Sequence, residues 1–175
     1  MKQLQEVGEQ QKIAWAKSKG IFKPEYELRS GNDVLATLRW REVFGPLAEG
    51  QAADGHWTFN CGGFFRQRVT VRLAGQDADL AVFRWPWRGS GLVEFQDGRK
   101  FRFFRTPDFW CRTYAFEDIH GQQFLQFDLN WFGTSVKLET KPMAKSLPEL
   151  TLLSILGLYI LILMKQKEIL LPVKT

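Results

Sequence analysis

The sequence predicts a mainly β protein: one domain of antiparallel strands with a single apolar helix near the C-terminus. The chain has 175 residues, which is the usual size of one domain. Between residues 25 and 139, apolar and polar residues alternate with period two, and turn residues recur about every eight to twelve residues. Residues 150–164 carry no charge and are apolar around the whole helix circumference. These features favour a β sandwich or barrel over alternating β–α units.

Composition excludes several classes of protein. The chain is 45% hydrophobic and 14% aromatic, far from the profile of a disordered protein. Cys61 and Cys111 are the only cysteines, so neither a disulfide framework nor a paired C-x-x-C metal motif is present. The polar N-terminus lacks the apolar stretch and the small-residue cleavage site that are typical of a secretory signal. We expect a cytoplasmic protein, peripheral at a membrane.

The first 24 residues are interpreted as a helical extension of the domain, which would then cover residues 25–175. Within it, residues 2–19 have a weakly amphipathic helical pattern with Leu4, Val7 and Trp15 near one face. Gly20 follows as a helix terminator.

About ten strands follow this segment. Sequences such as Ser30-Gly31-Asn32-Asp33 and Asp97-Gly98 separate them, and both are typical of tight turns between antiparallel strands. The predicted strands are residues 25–29, 34–41, 56–61, 65–73, 79–85, 92–95, 100–105, 110–116, 123–130 and 135–139.

The C-terminal helix is predicted over residues 147–166. Ser146 is placed to cap it, Glu149 to complete a capping box, and Pro148 is tolerated in the first turn. A helix that is apolar all round must be enclosed by protein or by lipid. A spanning helix needs about 20 apolar residues, more than this one has, which favours burial in the protein. A tail anchor over residues 147–167, with its lysines extended toward the interface, is the alternative.

Several segments resemble the tubby C-terminal-like superfamily, which includes tubby domains, phospholipid scramblases and LURP-one-related proteins. They are the hairpin of residues 26–36, the aromatic strand pair of residues 92–105, the segment 113–127 and above all the apolar helix. The resemblance implies a closed antiparallel barrel of about 10–12 strands wrapped around that helix. The Pro-rich N-terminal region and cysteine cluster of many scramblases are missing, so the resemblance does not imply lipid transport, and it supplies no lipid-site residue.

The sequence shows no catalytic apparatus, and we expect neither an enzyme nor a cofactor. His56 and His120 are the only histidines, and their spacing to Cys61 and Cys111 matches no known zinc motif. Neither a G-x-S-x-G elbow nor a phosphate-binding loop is present.

The positive charge is concentrated in one part of the chain. Residues 63–105 carry nine Lys/Arg against four Asp/Glu, whereas each flanking part is balanced. Arg66, Arg68 and Arg72 should share one strand face, opposite the apolar residues of that strand. The candidate residues for binding anionic lipid are Arg66, Arg68, Arg72, Arg84, Arg88, Arg99, Lys100 and Arg102.

Two tryptophans, Trp85 and Trp87, flank Pro86 and suit a membrane interface. Together with the basic residues they predict a non-catalytic binding or scaffold module that associates with anionic phospholipid or phosphoinositide surfaces. Two other interpretations remain open at this point. The charges could only solvate the domain, or the basic aromatic patch could bind single-stranded nucleic acid, although it does not match the RNA-recognition pattern.

Overall fold

The computed structural model describes residues 1–8, 11–18, 24–42, 45–62, 68–85, 90–107, 113–129 and 135–170, with side chains to residue 166 in the last helix. Three predicted site residues, Arg66, Trp87 and Arg88, lie outside these ranges. So do the predicted strand starts at Phe65 and Trp110.

Twelve antiparallel strands form one closed barrel, in which neighbours in sequence are neighbours in space and β1 closes on β12. This confirms the predicted fold class. The strands are β1 (Ile13–Lys17), β2 (Glu25–Ser30), β3 (Asp33–Trp40), β4 (Leu47–Ala52), β5 (Gly55–Gly62), β6 (Arg68–Leu73), β7 (Ala81–Arg84), β8 (Ser90–Phe95), β9 (Lys100–Arg105), β10 (Thr113–Asp118), β11 (Gln123–Leu129) and β12 (Ser135–Thr140).

The prediction of an N-terminal helix over residues 2–19 is wrong. In the described part of that range, the one helical element is a short 3-10 helix, Leu4–Glu6, and residues 13–17 are strand β1, paired with both β2 and β12. Ile13 and Trp15 point into the barrel two residues apart, and the alanines that alternate with them, Ala14 and Ala16, carry the helix propensity that suggested otherwise. The barrel therefore begins before residue 25, within the segment interpreted as an extension.

Strand β4 was also missed, because its sequence Leu-Ala-Glu-Gly-Gln-Ala has low β propensity. The small residues have a packing reason. A Cβ atom on Gly50 would lie 2.7 Å from Cγ2 of Ile155 on the central helix and 2.8 Å from the Phe59 ring. Strand β4 thus runs close to the helix at a point where no side chain fits.

The helix α1 (Leu150–Leu170) fills the barrel. Residues from Leu150 to Ile160 are all buried, on every side of the helix. Tyr159 stacks between Trp40 and Phe59, with ring centroids 5.4 Å and 5.5 Å away, and its hydroxyl donates to the carbonyl oxygen of Pro46. Burial raises the pKa of Tyr159, so this buried donor stays protonated.

Among the residues that the structure describes, no helix combines the length and the apolar character needed to cross a lipid bilayer.

The helix start differs from the predicted capping box. Ser146 ends a short 3-10 helix, Pro142–Ser146, and its hydroxyl donates to the carbonyl oxygen of Met143 at 2.9 Å. Glu149 instead forms an ion pair with Arg99 at 2.6 Å. The helix therefore begins at Leu150 rather than at residue 147, because the preceding residues are used in a separate turn.

Placing a charge inside the barrel should unfold the protein. We expect Leu156→Asp to lower the free energy of unfolding by about 3 kcal/mol or more, because Leu156 is fully buried and a carboxylate there has no partner. The matched control is Ile119→Asp, at a position that is 72% exposed. Urea denaturation followed by circular dichroism measures both variants. If the two variants were equally stable, α1 could not be the core of the barrel.

Candidate functional site

The basic residues of the middle strands form a row across the outside of the barrel. Backbone pairing places Arg68 opposite Arg84, Arg84 opposite Leu92, and Leu92 opposite Arg102. Directly paired residues point to the same face of a sheet. Arg68, Arg84, Leu92 and Arg102 are therefore outward-facing neighbours on β6, β7, β8 and β9, and we call them the arginine row.

Apolar surface lies within this row. Leu92 is 38% exposed, which makes it one of the few large exposed hydrophobic side chains of the described chain. The guanidinium carbon of Arg102 lies 4.8 Å from the centroid of the half-buried Phe104 ring. Val82, on the neighbouring row, is also half-buried. The face thus combines extended cationic side chains with an accessible apolar centre.

Carboxylates neutralise part of this positive charge. Asp79 bridges two arginines, with its oxygens 3.3 Å from Arg68 and 2.7 Å from Arg72. Glu94 lies between two other cations, 3.7 Å from Arg84 and 3.5 Å from Lys100. Each of these two carboxylates is shared by two cations, so the face keeps an excess of positive charge.

Arg102 differs from the other cations because its partner is buried. It pairs with Glu117, which faces it across β9 and β10 and whose side chain is only 9% exposed. Five cations, Arg68, Arg72, Arg84, Lys100 and Arg102, therefore share three carboxylates. Among the described residues of these ion pairs, the excess is therefore two positive charges.

Arg99 does not belong to this face, although the sequence grouped it there. It lies at the end of the barrel where α1 begins, and pairs with both Asp97 and Glu149 at 2.6 Å. Hydrogen bonds to Glu149 and Asp97 raise the pKa of Arg99, and the bond from Arg99 lowers the pKa of Asp97. Its contacts fix the β8–β9 turn to the first turn of the helix, which is a structural role.

Trp85 packs against the barrel end. Its ring centroid is 5.6 Å from that of Phe83, and it is half-buried. With Gly91, Ile160 and Met164 it lines a small cleft beside the second half of α1. The predicted interface tryptophan therefore covers the apolar end of the helix on one side of the barrel.

The histidines take part in ordinary surface contacts. His56 lies 3.9 Å from Glu49 on the neighbouring strand, and the backbone N–H of His120 donates to Asp118 within a turn. In the part of the chain that the structure describes, no group of three or more His, Cys, Asp or Glu side chains is placed to hold a metal ion.

Comparison of the chain with protein-family models, curated proteins and solved structures gave no match. Membership of the tubby C-terminal-like superfamily therefore stays a prediction.

Sequence reasoning missed the residues that give this face its character. Leu92, Phe104, Asp79, Glu94 and Glu117 were not among the predicted site residues. Strand alternation alone could have placed Leu92 and Glu94 together on the outward side of β8. The pairing of Asp79 with two arginines depends on how the β6–β7 connection folds back, which alternation does not encode.

The buried partner of Arg102 leads to a prediction about stability. We expect Arg102→Met to lower the free energy of unfolding by about 1–3 kcal/mol, because Glu117 would be left buried without its partner. Arg84→Met removes a longer contact between two exposed side chains and should cost less than about 0.5 kcal/mol. Urea denaturation of both variants measures the difference. Equal losses would show that the Arg102–Glu117 pair is no more than a surface contact.

Proposed function

We propose that this protein is a non-catalytic binding module that associates peripherally with anionic phospholipid surfaces through the outer face of β6–β9. The observation that carries this proposal is the arginine row, in which exposed Leu92 stands between Arg84 and Arg102. Lipid headgroups offer phosphate to the guanidinium groups, and the zone just beneath them accepts an apolar side chain.

The energies expected for such a face support reversible binding. A basic residue near an anionic leaflet contributes about 1 kcal/mol. The intramolecular carboxylates compete with lipid phosphates for the same guanidinium groups, so the effective charge is the excess rather than the full count. Insertion of Leu92 adds an apolar contribution that does not depend on salt. Binding should therefore weaken with ionic strength without vanishing.

Single-stranded nucleic acid fits this face less well. Binding without sequence preference relies on exposed aromatic rings on which bases stack. On the described part of this face the ring is Phe104, which is half-buried and already covered by Arg102. A nucleic acid on this face could therefore use only contacts between its phosphates and the arginines.

The first test removes two charges from the row. We expect Arg68→Gln combined with Arg84→Gln to weaken binding to phosphatidylserine-containing vesicles by roughly 30-fold, since each charge contributes about 1 kcal/mol. The matched control is Arg29→Gln combined with Arg39→Gln, which removes two exposed, paired arginines from β2 and β3. Vesicle sedimentation measures binding, and thermal melting checks the fold.

Three results would contradict the lipid proposal. The control pair could weaken binding as much as the test pair. Binding could be the same for vesicles of phosphatidylcholine alone. A labelled single-stranded oligonucleotide could bind more tightly than anionic vesicles and depend on the same two arginines.

The second test frees charge instead of removing it. Asp79→Asn should strengthen binding to the same vesicles by about fivefold, because Arg68 and Arg72 would lose the carboxylate that they share. Glu25→Gln, on β2, frees Arg39 on β3; it changes the net charge equally and should leave binding nearly unchanged. If both variants bind more tightly to the same extent, only the net charge of the protein matters, and the arginine row is not a site.

A further inference from the structure

A second feature lies on another side of the barrel, away from the arginine row. A cavity of about 290 Å³ opens between the second half of α1 and strands β1, β2, β11 and β12. The residues that line it include Trp15, Lys17, Val136, Leu158, Leu161 and Lys165. It lies at the end of the barrel where α1 emerges.

The wall of this cavity is apolar. Trp15, Leu158 and Leu161 are buried, while Leu129 and Val136 are half-buried against it. Pairing of β1 with β12 sets Trp15 opposite Val136 on the inner face of the barrel. The volume is near the lower end of the roughly 300–1,000 Å³ typical of ligand pockets, which suits one acyl chain better than the two chains of a phospholipid.

The mouth of the cavity is cationic. Lys17 and Lys165 are both exposed and both line it, and the described lining contains no carboxylate. Neither lysine takes part in an ion pair with another residue that the structure describes. An apolar wall below two such lysines matches a chain that carries a negative group at one end.

An independent observation comes from Trp15. The residue is 1% exposed, and its Nε1 atom is buried with no hydrogen-bond partner in the described part of the chain. A buried donor of this kind is normally satisfied. Trp15 and Lys17 are two residues apart on β1, so both occupy positions on the side of the strand that faces the interior. Lys17, at the end of the strand, is paired with Tyr26 of β2. Because Trp15 and Lys17 both line the cavity, the oxygen of a bound ligand is a candidate acceptor for the indole N–H.

We propose that this cavity binds a single long-chain fatty acid, with its carboxylate between Lys17 and Lys165 and its chain along Val136, Leu158 and Leu161. This ligand uses the apolar wall, the two cations and the buried indole donor together. The site is separate from the arginine row and does not depend on membrane binding.

The test uses the full chain in solution without vesicles. Titration with cis-parinaric acid, whose fluorescence rises on burial, should saturate at one molecule per protein, and oleic acid should displace it. Lys17→Gln combined with Lys165→Gln should weaken oleate binding by about tenfold or more, since two exposed ion pairs are lost. Lys12→Gln combined with Lys137→Gln, two exposed lysines outside the cavity, should leave binding unchanged.

Two further measurements separate the carboxylate from the chain. Methyl oleate keeps the chain and loses the charge, so it should bind the native protein more weakly than oleate and be indifferent to the lysine variants. Val136→Phe should fill the cavity and abolish binding of both ligands. If that variant does not fold, the surface lysine pair and the methyl ester still decide the question.

Other outcomes would overturn the proposal. Parinarate that does not saturate, or that the methyl ester displaces as well as oleate does, would exclude a carboxylate site. Equal effects of the two lysine pairs would show that only net charge matters. Arg68→Gln combined with Arg84→Gln should leave oleate binding intact, so failure of this proposal and failure of the membrane proposal are distinguishable.

Discussion

An α-helix without a polar face is the constraint on which this structure depends. From Leu150 to Ile160 every residue of α1 is buried, so strands must surround the helix on all sides. A helix with its side chains is about 10–12 Å across, too wide for the interior of an eight-stranded barrel, which side chains already fill. Twelve strands make a wider barrel, and closure of β1 on β12 also removes exposed strand edges.

The same constraint determines where charge can be. A buried polar atom without a partner is costly, and the hydroxyl of Ser154 avoids this cost by donating to the carbonyl oxygen of Thr151 at 2.8 Å. Every second residue of a strand must therefore be apolar, and the arginines of β6 and β9 occupy the outward positions in between. The arginine row is a consequence of strand alternation and register. The carboxylates that pair with its arginines, Asp79, Glu94 and Glu117, lie beside it on the outside of the barrel.

Local patterns predicted much of the fold. Alternation located ten of the strands, and glycines at predicted turns, such as Gly31 at φ 58° and Gly98 at φ 87°, have the conformation those turns need. What failed depends on tertiary contact. Strand β1 has an alanine-rich sequence that becomes strand because the barrel must close, and β4 is made of small residues because Ile155 of the helix approaches Gly50. Arg99 was assigned to the basic face because sequence proximity does not show that Glu149 draws it to the helix.

The two ends of the barrel are not equivalent, and this bears on both proposed sites. At the first end, Arg99 ties the β8–β9 turn to Glu149 at the start of α1. At the other end α1 emerges, with Trp85 and Met164 in one cleft and Lys17 and Lys165 at another. Arg68 begins β6 and Arg84 ends β7, so the arginine row also lies toward this second end.

An apolar helix is easiest to enclose at its middle, where strands surround it completely. At its emerging end the enclosure is incomplete, and apolar side chains such as Ile162 and Met164 are only half-buried. Cations beside exposed apolar surface are what an amphiphile with an anionic head recognises. Because the arginine row and the cavity lie on different strands and rely on different cations, the end of the barrel can present a membrane contact and an acyl-chain site that are independent of each other.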